Sequence, residues 1–322
     1  MRRIELADFR RRRDEYDQIV SACADLDRFC SSAAWVLPAH ESLMPKREPL
    51  IFEASGRWIT LARGSDPRGF SYLEPLEASW GLASPLVAAD ADDLSWVCAN
   101  EEWDLVLLAG LIDGSVVQAR TLTTLLRHYE LRQGDATARY VADLDGGLDA
   151  FLANRSRGFR RSVLRSRKRA TGAGIEFECA DGLDAESAFQ RILSVDDRSW
   201  KGLSGVGITG TMRAFYRRML DRLVERDSLR LHFARREDED VAYIFGGVFA
   251  GTYRGLQFGF DERFRELGLG NVCQLVQIEA LCEEGIETYD IGTTSGHYKQ
   301  KWCDRIVTST MFFVTRRQPR TL

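Results

Sequence analysis

Apolar positions in the second half of the chain alternate between short runs typical of strands and stripes typical of helices. The pattern predicts the order β-α-α-β-β-β-α-β-α-β, with elements at 175–179, 184–200, 211–226, 229–234, 241–250, 252–260, 272–282, through Asp290, near Tyr298 and at 309–315. The strands that meet at Gly251 are rich in aromatic and β-branched residues. Helices that alternate with a mixed sheet indicate an α/β layered fold, with ligands bound near strand ends.

The first half follows the same order of elements. Its predicted elements lie at 3–7, 14–27, 31–43, 50–54, 58–62, around Tyr72, and at 91–99, 104–111, 116–131 and 137–144. The two halves share this order but no residue-level repeat. The sequence therefore predicts two tandem domains, each a mixed central sheet flanked by helices, at 1–148 and 174–322, with a basic connecting helix at 149–173.

A glycine-spaced turn joins the third strand of the second half to its long helix. It reads Arg265-Glu266-Leu267-Gly268-Leu269-Gly270-Asn271 and contains the pattern R-x-x-G-x-G. Glycines let a ligand approach the backbone closely, and the first N–H groups of the following helix have no partner within that helix. Such a turn favours phosphate oxygens. The corresponding segment of the first half, 77–85, lacks this spacing, so the second half is the predicted ligand binder.

Between the halves, residues 155–169 contain eight basic residues and no acidic one. Apolar residues such as Phe159, Val163 and Leu164 give this segment one side that can be buried, so it is predicted to be helical. Two interpretations of its basic side stay open. It is either a solvated helix face, or a platform for an anion: a coenzyme phosphate, an acidic carrier protein or an RNA backbone.

Composition narrows the class of protein. The chain has 322 residues with a net charge of -4, of which 29% are charged and 44% hydrophobic, as is typical of globular domains. A weakly negative total gives no overall attraction to nucleic acid or anionic membranes, so such an attraction needs a local patch. No run approaches the roughly 20 apolar residues of a membrane span, and the start lacks a signal-peptide pattern, so a cytoplasmic location is expected. The seven cysteines are scattered, with no spacing typical of a disulfide framework or metal site.

Together these motifs resemble the GNAT superfamily of acyltransferases, in the tandem form shared by the CelD/BcsL-like acetyltransferases and the Fem peptidoglycan aminoacyltransferases. The GNAT phosphate turn, Q/R-x-x-G-x-G/A, is matched by Arg265, Gly268 and Gly270. The CelD-like group is further resembled at the segments 159–162, 199–201, 289–292 and 298–302. Many of that group have Ser-Pro-Gly at the turn where this chain has Gly268-Leu269-Gly270, and this departure favours ordinary coenzyme A binding.

The resemblance implies direct transfer of an acyl group from a thioester, acetyl-CoA or a longer acyl-CoA, to an amine. Backbone N–H groups of the turn would bind the donor phosphates, and a backbone N–H of the preceding strand would bind the thioester oxygen. The implied donor-binding residues are Gln257, Phe258, Gly259, Arg265, Leu267, Gly268, Leu269, Gly270 and Asn271. The candidates for acceptor binding are Arg160, Trp200, Lys201 and Tyr253.

A cluster near the C-terminal end holds candidates for the chemistry itself. Lys299 matches a Fem-type lysine thought to stabilise negative charge at the reacting centre, and Tyr298 is a candidate proton donor to the leaving thiolate. Asp290 would orient the nucleophile or accept its proton. His297 and His232 are alternative bases. Each of these residues also has an ordinary structural interpretation, as an exposed lysine, a packed tyrosine, a turn aspartate or a structural histidine.

The resemblance thus predicts a coenzyme A dependent N-acyltransferase, without a metal, that acts on a small molecule, an amino sugar or a peptide. One alternative is transfer of a fatty acyl group from an acyl carrier protein, or of an aminoacyl group from tRNA, with residues 155–169 as the docking surface. The second alternative is a non-catalytic binding protein that retains the fold.

Overall fold

In the computed structural model, which describes residues 1–293 and 298–317, helices and strands alternate along the chain in the predicted order. The chain packs as two units. The first contains Met1–Ala138 together with the described residues from Val307 onward, and the second contains Arg139–Ile306. The domain boundaries expected from the order of elements stay a prediction.

The helices are α1 (Leu6–Arg11), α2 (Arg13–Ala22), α3 (Arg28–Ser31), α4 (Ala33–Leu43), α5 (Ala91–Asn100), α6 (Val116–His128), α7 (Gly147–Ala153), α8 (Arg157–Gly172), α9 (Ala185–Asp196), α10 (Trp200–Leu203), α11 (Gly210–Glu225) and α12 (Leu269–Glu283). The strands are β1 (Arg2–Ile4), β2 (Glu48–Ala54), β3 (Arg57–Ser65), β4 (Ser71–Pro75), β5 (Leu86–Val87), β6 (Leu105–Leu108), β7 (Tyr129–Asp143), β8 (Ile175–Cys179), β9 (Leu229–Arg236), β10 (Glu239–Phe249), β11 (Thr252–Phe260), β12 (Thr288–Asp290) and β13 (Arg305–Arg316). Short 3₁₀ helices lie at Glu262–Leu267 and Lys299–Lys301.

The first unit is built on a sheet in which β1, β2, β3 and β4 are successive antiparallel neighbours. Strand β6 joins β4 in parallel, and β13 then pairs antiparallel with β6. The short strand β5 pairs with β3 off this path. This sheet therefore takes one of its strands from the far end of the chain.

The second unit is built on β8, β9, β10 and β11, which are antiparallel neighbours in that order. Strand β12 pairs in parallel with β11, and the end of β7 pairs antiparallel with β12 through Asp143, Ala142 and Val141. Each unit is thus completed by strand residues from the other half of the sequence: the end of β7, from Arg139 onward, in the second unit and β13, from Val307 onward, in the first.

Helix α12 lies at the centre of the second unit. Its residues Leu275, Ile278 and Leu281 belong to one apolar cluster, and Val272 and Cys273 belong to another. The sequence predicts a single apolar stripe, but α12 also buries Gln274 and Gln277. The burial on several faces explains why this helix is apolar around most of its surface. Helix α8 packs on α12. The basic segment is helical from Arg157 onward, but the single connecting helix predicted at 149–173 is interrupted after Ala153, because Ser156 caps the start of a separate helix, α8.

The predicted elements depart from the structure at the end of α2, which stops at Ala22 and not at residue 27, and at the end of α6. The sequence predicts a helix as far as residue 131, but α6 ends at His128 and β7 begins at Tyr129. Burial alternates with a period of two from Tyr129 to Arg132, which is the strand period. The Tyr129 ring also packs edge-on against Trp103, with ring centroids 5.7 Å apart, which favours the strand position.

Within residues 1–293 and 298–317, no helix is both long enough and apolar enough to cross a membrane.

Candidate active site

The candidate site lies where β11 and β12 stop pairing. Thr252, Tyr253 and Arg254 of β11 face Thr288, Tyr289 and Asp290 of β12 in parallel register. Strand β12 ends at Asp290, whereas residues 255–260 continue β11 with no further strand of the described chain on that side. The carboxyl ends of the two strands therefore leave an open backbone edge, the position at which ligands bind in α/β sheets.

Phe258 directs its backbone polar groups to this open edge. The N–H of Asp261 donates to the carbonyl of Val241 on β10, so Asp261, Gly259 and Gln257 face β10. Successive residues of a strand direct their backbone N–H and carbonyl groups alternately to its two sides. The N–H and carbonyl of Phe258 therefore point away from β10, to the open edge. Of the three strand residues predicted to bind the donor, Phe258 is the one whose N–H is positioned for a ligand on the open edge.

The glycine-spaced turn begins α12 beside this edge. Gly268 has φ +68°, a left-handed conformation, and no side chain of the described residues caps the first turn of α12. A Cβ on Gly270 would lie 3.0 Å from the Phe258 ring, and a Cβ on Gly268 would lie 3.2 Å from Ser166 Oγ of α8. The turn is therefore held between β11 and α8. The N–H of Asn271 donates to the Gly268 carbonyl at 3.1 Å, whereas the N–H groups of Leu269 and Gly270 remain available to an anion.

The arginine of the motif does not point into this turn. Arg265 donates to Glu262 at 2.6 Å, and its side chain is 69% exposed. Leu267 packs against the apolar cluster beneath α12 instead of facing a ligand. The backbone of the turn, and not the Arg265 guanidinium, carries the predicted donor site.

Lys299 is buried next to the fork of the two strands. Its Nζ donates to the carbonyls of Ile291 and Thr293, both at 2.8 Å. Burial lowers the pKa of Lys299 to about 8; repulsion by the Arg254 guanidinium adds to the shift, and the Asp290 carboxylate opposes it. Lys299 is only 6% exposed, which excludes the alternative interpretation of an exposed, solvated lysine.

Asp290 is fixed by buried arginines. Its Oδ1 accepts from Arg254 and its Oδ2 accepts from Arg139, both at 2.5 Å, and the N–H of Gly292 donates to Oδ1 at 2.8 Å. All three side chains are less than 10% exposed. Both carboxylate oxygens therefore already accept hydrogen bonds from charged donors, which hold the side chain in one orientation. The geometry therefore favours a positioning role for Asp290.

Lys201 reaches the same edge from α10. Its Nζ donates to the Gln257 side chain at 3.0 Å and to the Phe258 carbonyl at 3.1 Å. Burial lowers the pKa of Lys201, and the Asp196 carboxylate opposes that shift. Gln257 in turn donates to the Tyr216 hydroxyl at 2.8 Å. Lys201 and Gln257 thus form one polar group at the edge of β11.

Tyr298 stands beside Phe258, with ring centroids 6.2 Å apart and an edge-on orientation. Its side chain is 39% exposed, so the ring has one side toward solvent. Partial burial raises the pKa of Tyr298 to about 12, so the phenol keeps its proton at neutral pH. A protonated phenol at the open edge is a suitable proton donor.

The remaining predicted site residues lie elsewhere or are not described. Tyr253 is fully buried and packs edge-on against Tyr289 at 4.8 Å, so it belongs to the core. His232 is also buried, with its Nδ1 3.1 Å from the Gln277 side chain on α12. Trp200 is 51% exposed, and Arg160 lies on α8. His297 lies outside the described residues.

Sequence reasoning missed residues that the fold brings to the site. Arg139 is far from Asp290 in the sequence, so no local pattern connects them. Arg254 carries a weak signal, since a charged residue interrupts an otherwise aromatic and apolar strand. Ser166 is a small polar residue on the buried side of a basic helix, where the apolar spacing alone predicts a hydrophobic one.

The acetyltransferase (GNAT) domain family matches residues 157–300, a range that includes α8, the glycine-spaced turn, Asp290 and Lys299. Residues 157–300 form a GNAT domain. The chain therefore contains an acetyltransferase (GNAT) domain and is an acyltransferase. No significant match to a curated protein was found.

Solved structures resemble this chain over nearly its whole length. FemX has a TM-score of 0.68 at 11% identity, covering 96% of this chain and 97% of FemX. The C-terminal domain of a putative lysylphosphatidylglycerol synthetase from Agrobacterium fabrum has a TM-score of 0.60 at 14% identity, covering 94% and 91%. L-PGS from Bacillus licheniformis has a TM-score of 0.59 at 12% identity, covering 96% and 93%. At these identities the likeness establishes a shared fold.

Proposed function

We propose that the second unit transfers an acyl group from acyl-CoA to the amine of a small molecule, an amino sugar or a peptide. The observation that supports this most directly is the uncapped N-terminus of α12, with left-handed Gly268, beside the open edge of β11. A diphosphate suits the first feature and an extended chain with amide groups suits the second.

The donor phosphates would accept hydrogen bonds from the N–H groups of Leu269 and Gly270, since the N–H of Asn271 already donates to the Gly268 carbonyl. The pantetheine arm, which is extended and carries amides, would lie along residues 255–260. This places the thioester toward the fork, near the Phe258 N–H and Lys299. Phe258 stays close to the turn because its ring packs against Gly270.

At the reacting centre the acceptor amine attacks the thioester carbonyl, so a C–N bond forms and the C–S bond breaks. Negative charge on the carbonyl oxygen would be stabilised by the Phe258 N–H and by the third N–H of the Lys299 ammonium. Tyr298 would give its proton to the leaving thiolate, and the proton that the amine loses as the amide forms would return to the Tyr298 phenolate. Asp290 would hold Arg254 and Arg139 in place.

A second candidate has support from α8. Arg157, Arg160, Arg161, Arg165, Lys168 and Arg169 have no ion pair with any described residue. Such a face suits a donor borne on an acidic carrier protein or on tRNA, whose bulk would extend beyond the thioester or ester. The donor arm would still occupy the edge of β11, so the chemistry would be the same.

Isothermal titration calorimetry with acetyl-CoA and with desulfo-CoA tests the leading proposal. We expect saturable binding of both at one site per chain, and a higher melting temperature with each ligand, because a ligand that binds only the folded state stabilises it. Failure of both ligands to bind would overturn the acyl-CoA proposal. Activity with a carrier-bound or tRNA-bound donor under the same conditions would then identify the second candidate.

A further inference from the structure

The turn that would bind the donor phosphates has too little positive charge of its own. Arg265 is paired with Glu262, and Arg263 donates to Asp261 and Glu239. Backbone N–H groups at a helix start provide roughly half a positive charge. Coenzyme A carries a diphosphate and, in addition, a 3′-phosphomonoester with about -1.5 to -2 charges at pH 7. A cation from a neighbouring element would balance part of this charge.

Helix α8 is the element beside the turn. Ser166 is 7% exposed, and its Oγ lies 3.2 Å from the position of a Cβ on Gly268. Arg169, one helical turn further along α8, donates to Ser166 Oγ at 3.4 Å. The Arg169 guanidinium is thus next to the turn, and it has no ion pair among the described residues.

Other cations of α8 are positioned differently. Arg167 is held by a two-point pair with Glu279 of α12, at 2.7 and 3.2 Å, and so it anchors α8 to α12. Arg157 lies twelve residues before Arg169, or roughly 18 Å along the helix axis. Among the exposed cations of this helix, Arg169 is therefore the one that the hydrogen-bond geometry ties to the turn.

We infer that Arg169, positioned by Ser166, binds the 3′-phosphate of coenzyme A and makes the enzyme selective for the complete coenzyme. This inference depends on the proposed function. The first N–H groups of α12 take the diphosphate, and the 3′-phosphate is the remaining dianion of the same ligand. A guanidinium binds a phosphomonoester through two parallel N–H donors, which is the contact that an exposed arginine at the edge of the turn can make.

The test compares acetyl-CoA with 3′-dephospho-acetyl-CoA by calorimetry, in the wild-type protein and in Arg169→Ala. We expect the wild type to bind acetyl-CoA about 10 to 100 times more tightly than the dephospho ligand, the range of a charge-assisted hydrogen bond. Arg169→Ala should lose this preference, with an unchanged Kd for the dephospho ligand. Arg157→Ala is the matched control, because it removes an exposed, unpaired arginine of the same helix and should retain the preference.

The outcomes separate the inference from the function on which it depends. If the wild type binds both ligands and Arg169→Ala keeps the wild-type preference, the inference is wrong and the acyl-CoA proposal stands. An equal loss of affinity for both ligands in Arg169→Ala also overturns it, since the arginine would then contact the diphosphate or support the turn. If the wild type binds neither ligand, both proposals fail together.

Discussion

At the scale of single residues, the environment of Lys299 determines what it can do. An ammonium group has three N–H donors, and two of them are used by the Ile291 and Thr293 carbonyls. Both bonds run from Nζ to an acceptor, which favours the charged form and leaves one donor for a substrate oxygen. Burial and Arg254 act in the opposite direction and lower the pKa to about 8. The charged form is therefore present at neutral pH and is lost in mildly alkaline solution.

This balance predicts a pH dependence of kcat. If the ammonium stabilises negative charge, kcat should be constant below pH 8 and fall as the pH rises through about 8. Lys299→Met should lower kcat by about 100-fold or more, remove this alkaline limb, and leave the Kd of acetyl-CoA unchanged. The measurement is kcat against pH for both proteins, with donor affinity measured separately.

A rise of kcat with pH, in place of a fall, would give Lys299 a different role. If kcat rises through pH 8, the neutral amine is the active form and Lys299 is the base that takes the proton of the acceptor. Lys299→Arg is the control, because a guanidinium stays charged over this whole range. Any activity it retains should show no change near pH 8.

The motif predicts Lys299 as a site residue, but not its titration. The shift in pKa comes from burial and from Arg254, a residue on another strand. Asp290 shows the same limit. Its position before a glycine turn is visible in the sequence, whereas its two arginine partners are brought to it by β7 and β11. Local patterns therefore identify candidate site residues, and the sheet determines their partners and, for Lys299, the pKa.

At the scale of elements, the start of α12 depends on the left-handed conformation of Gly268. A valine there has to adopt φ near +68°, which costs roughly 1–2 kcal/mol, and its side chain would also approach Ser166. We expect Gly268→Val to weaken acetyl-CoA binding by about tenfold or more, because the branched side chain narrows the approach to the helix start. Calorimetry measures the affinity, and thermal unfolding measures the loss of stability.

The other end of the same helix provides a matched control. Gly285 also has a left-handed φ of +74°, and a Cβ there would meet nothing within 4 Å. Gly285→Val should therefore cost a similar amount of stability and leave the Kd unchanged. If both variants bind acetyl-CoA equally well, the donor phosphates do not lie at the start of α12.

Most elements of both units are predictable from apolar spacing because each buries one side. The strands β8 and β11 have the predicted ends, Ile175–Cys179 and Thr252–Phe260. The end of α6 is not predictable in this way, because the residues from Tyr129 onward fit a helical stripe as well as a strand. Their strand conformation depends on partners such as Trp103, which are distant in sequence.

At the scale of the whole molecule, the last strand of the chain belongs to the first unit. Val314 is fully buried and pairs with Val106 of β6. Val314→Asp places a charge in that core and should lower the free energy of unfolding by about 3 kcal/mol or more. Hydrogen exchange should show the loss of protection in residues 105–108 before it appears in residues 252–260.

A second substitution in β13 separates burial from a general effect on the strand. Ile306 is 52% exposed, so Ile306→Asp should change stability by no more than about 0.5 kcal/mol. Loss of protection in residues 252–260 first, in Val314→Asp, would contradict the assignment of this strand to the first unit.

The order of elements does not predict which unit β7 and β13 pair with. Both halves end in a strand, and a strand at the end of each half is what two self-contained domains would also show. The pairing of Val141 with Asp290 and of Val314 with Val106 follows from contacts across long sequence separations. Local spacing contains no information about those partners.

This sharing of strands sets an order in which the protein can mature during synthesis. The second unit has all its parts once residue 306 has left the ribosome, whereas the first unit also needs β13, which is made afterwards. The unit that starts first is thus completed second, and the edge of β6 lacks its neighbour until β13 has been made. An unpaired strand edge promotes aggregation, so newly made chains should depend on chaperones until β13 has paired with β6.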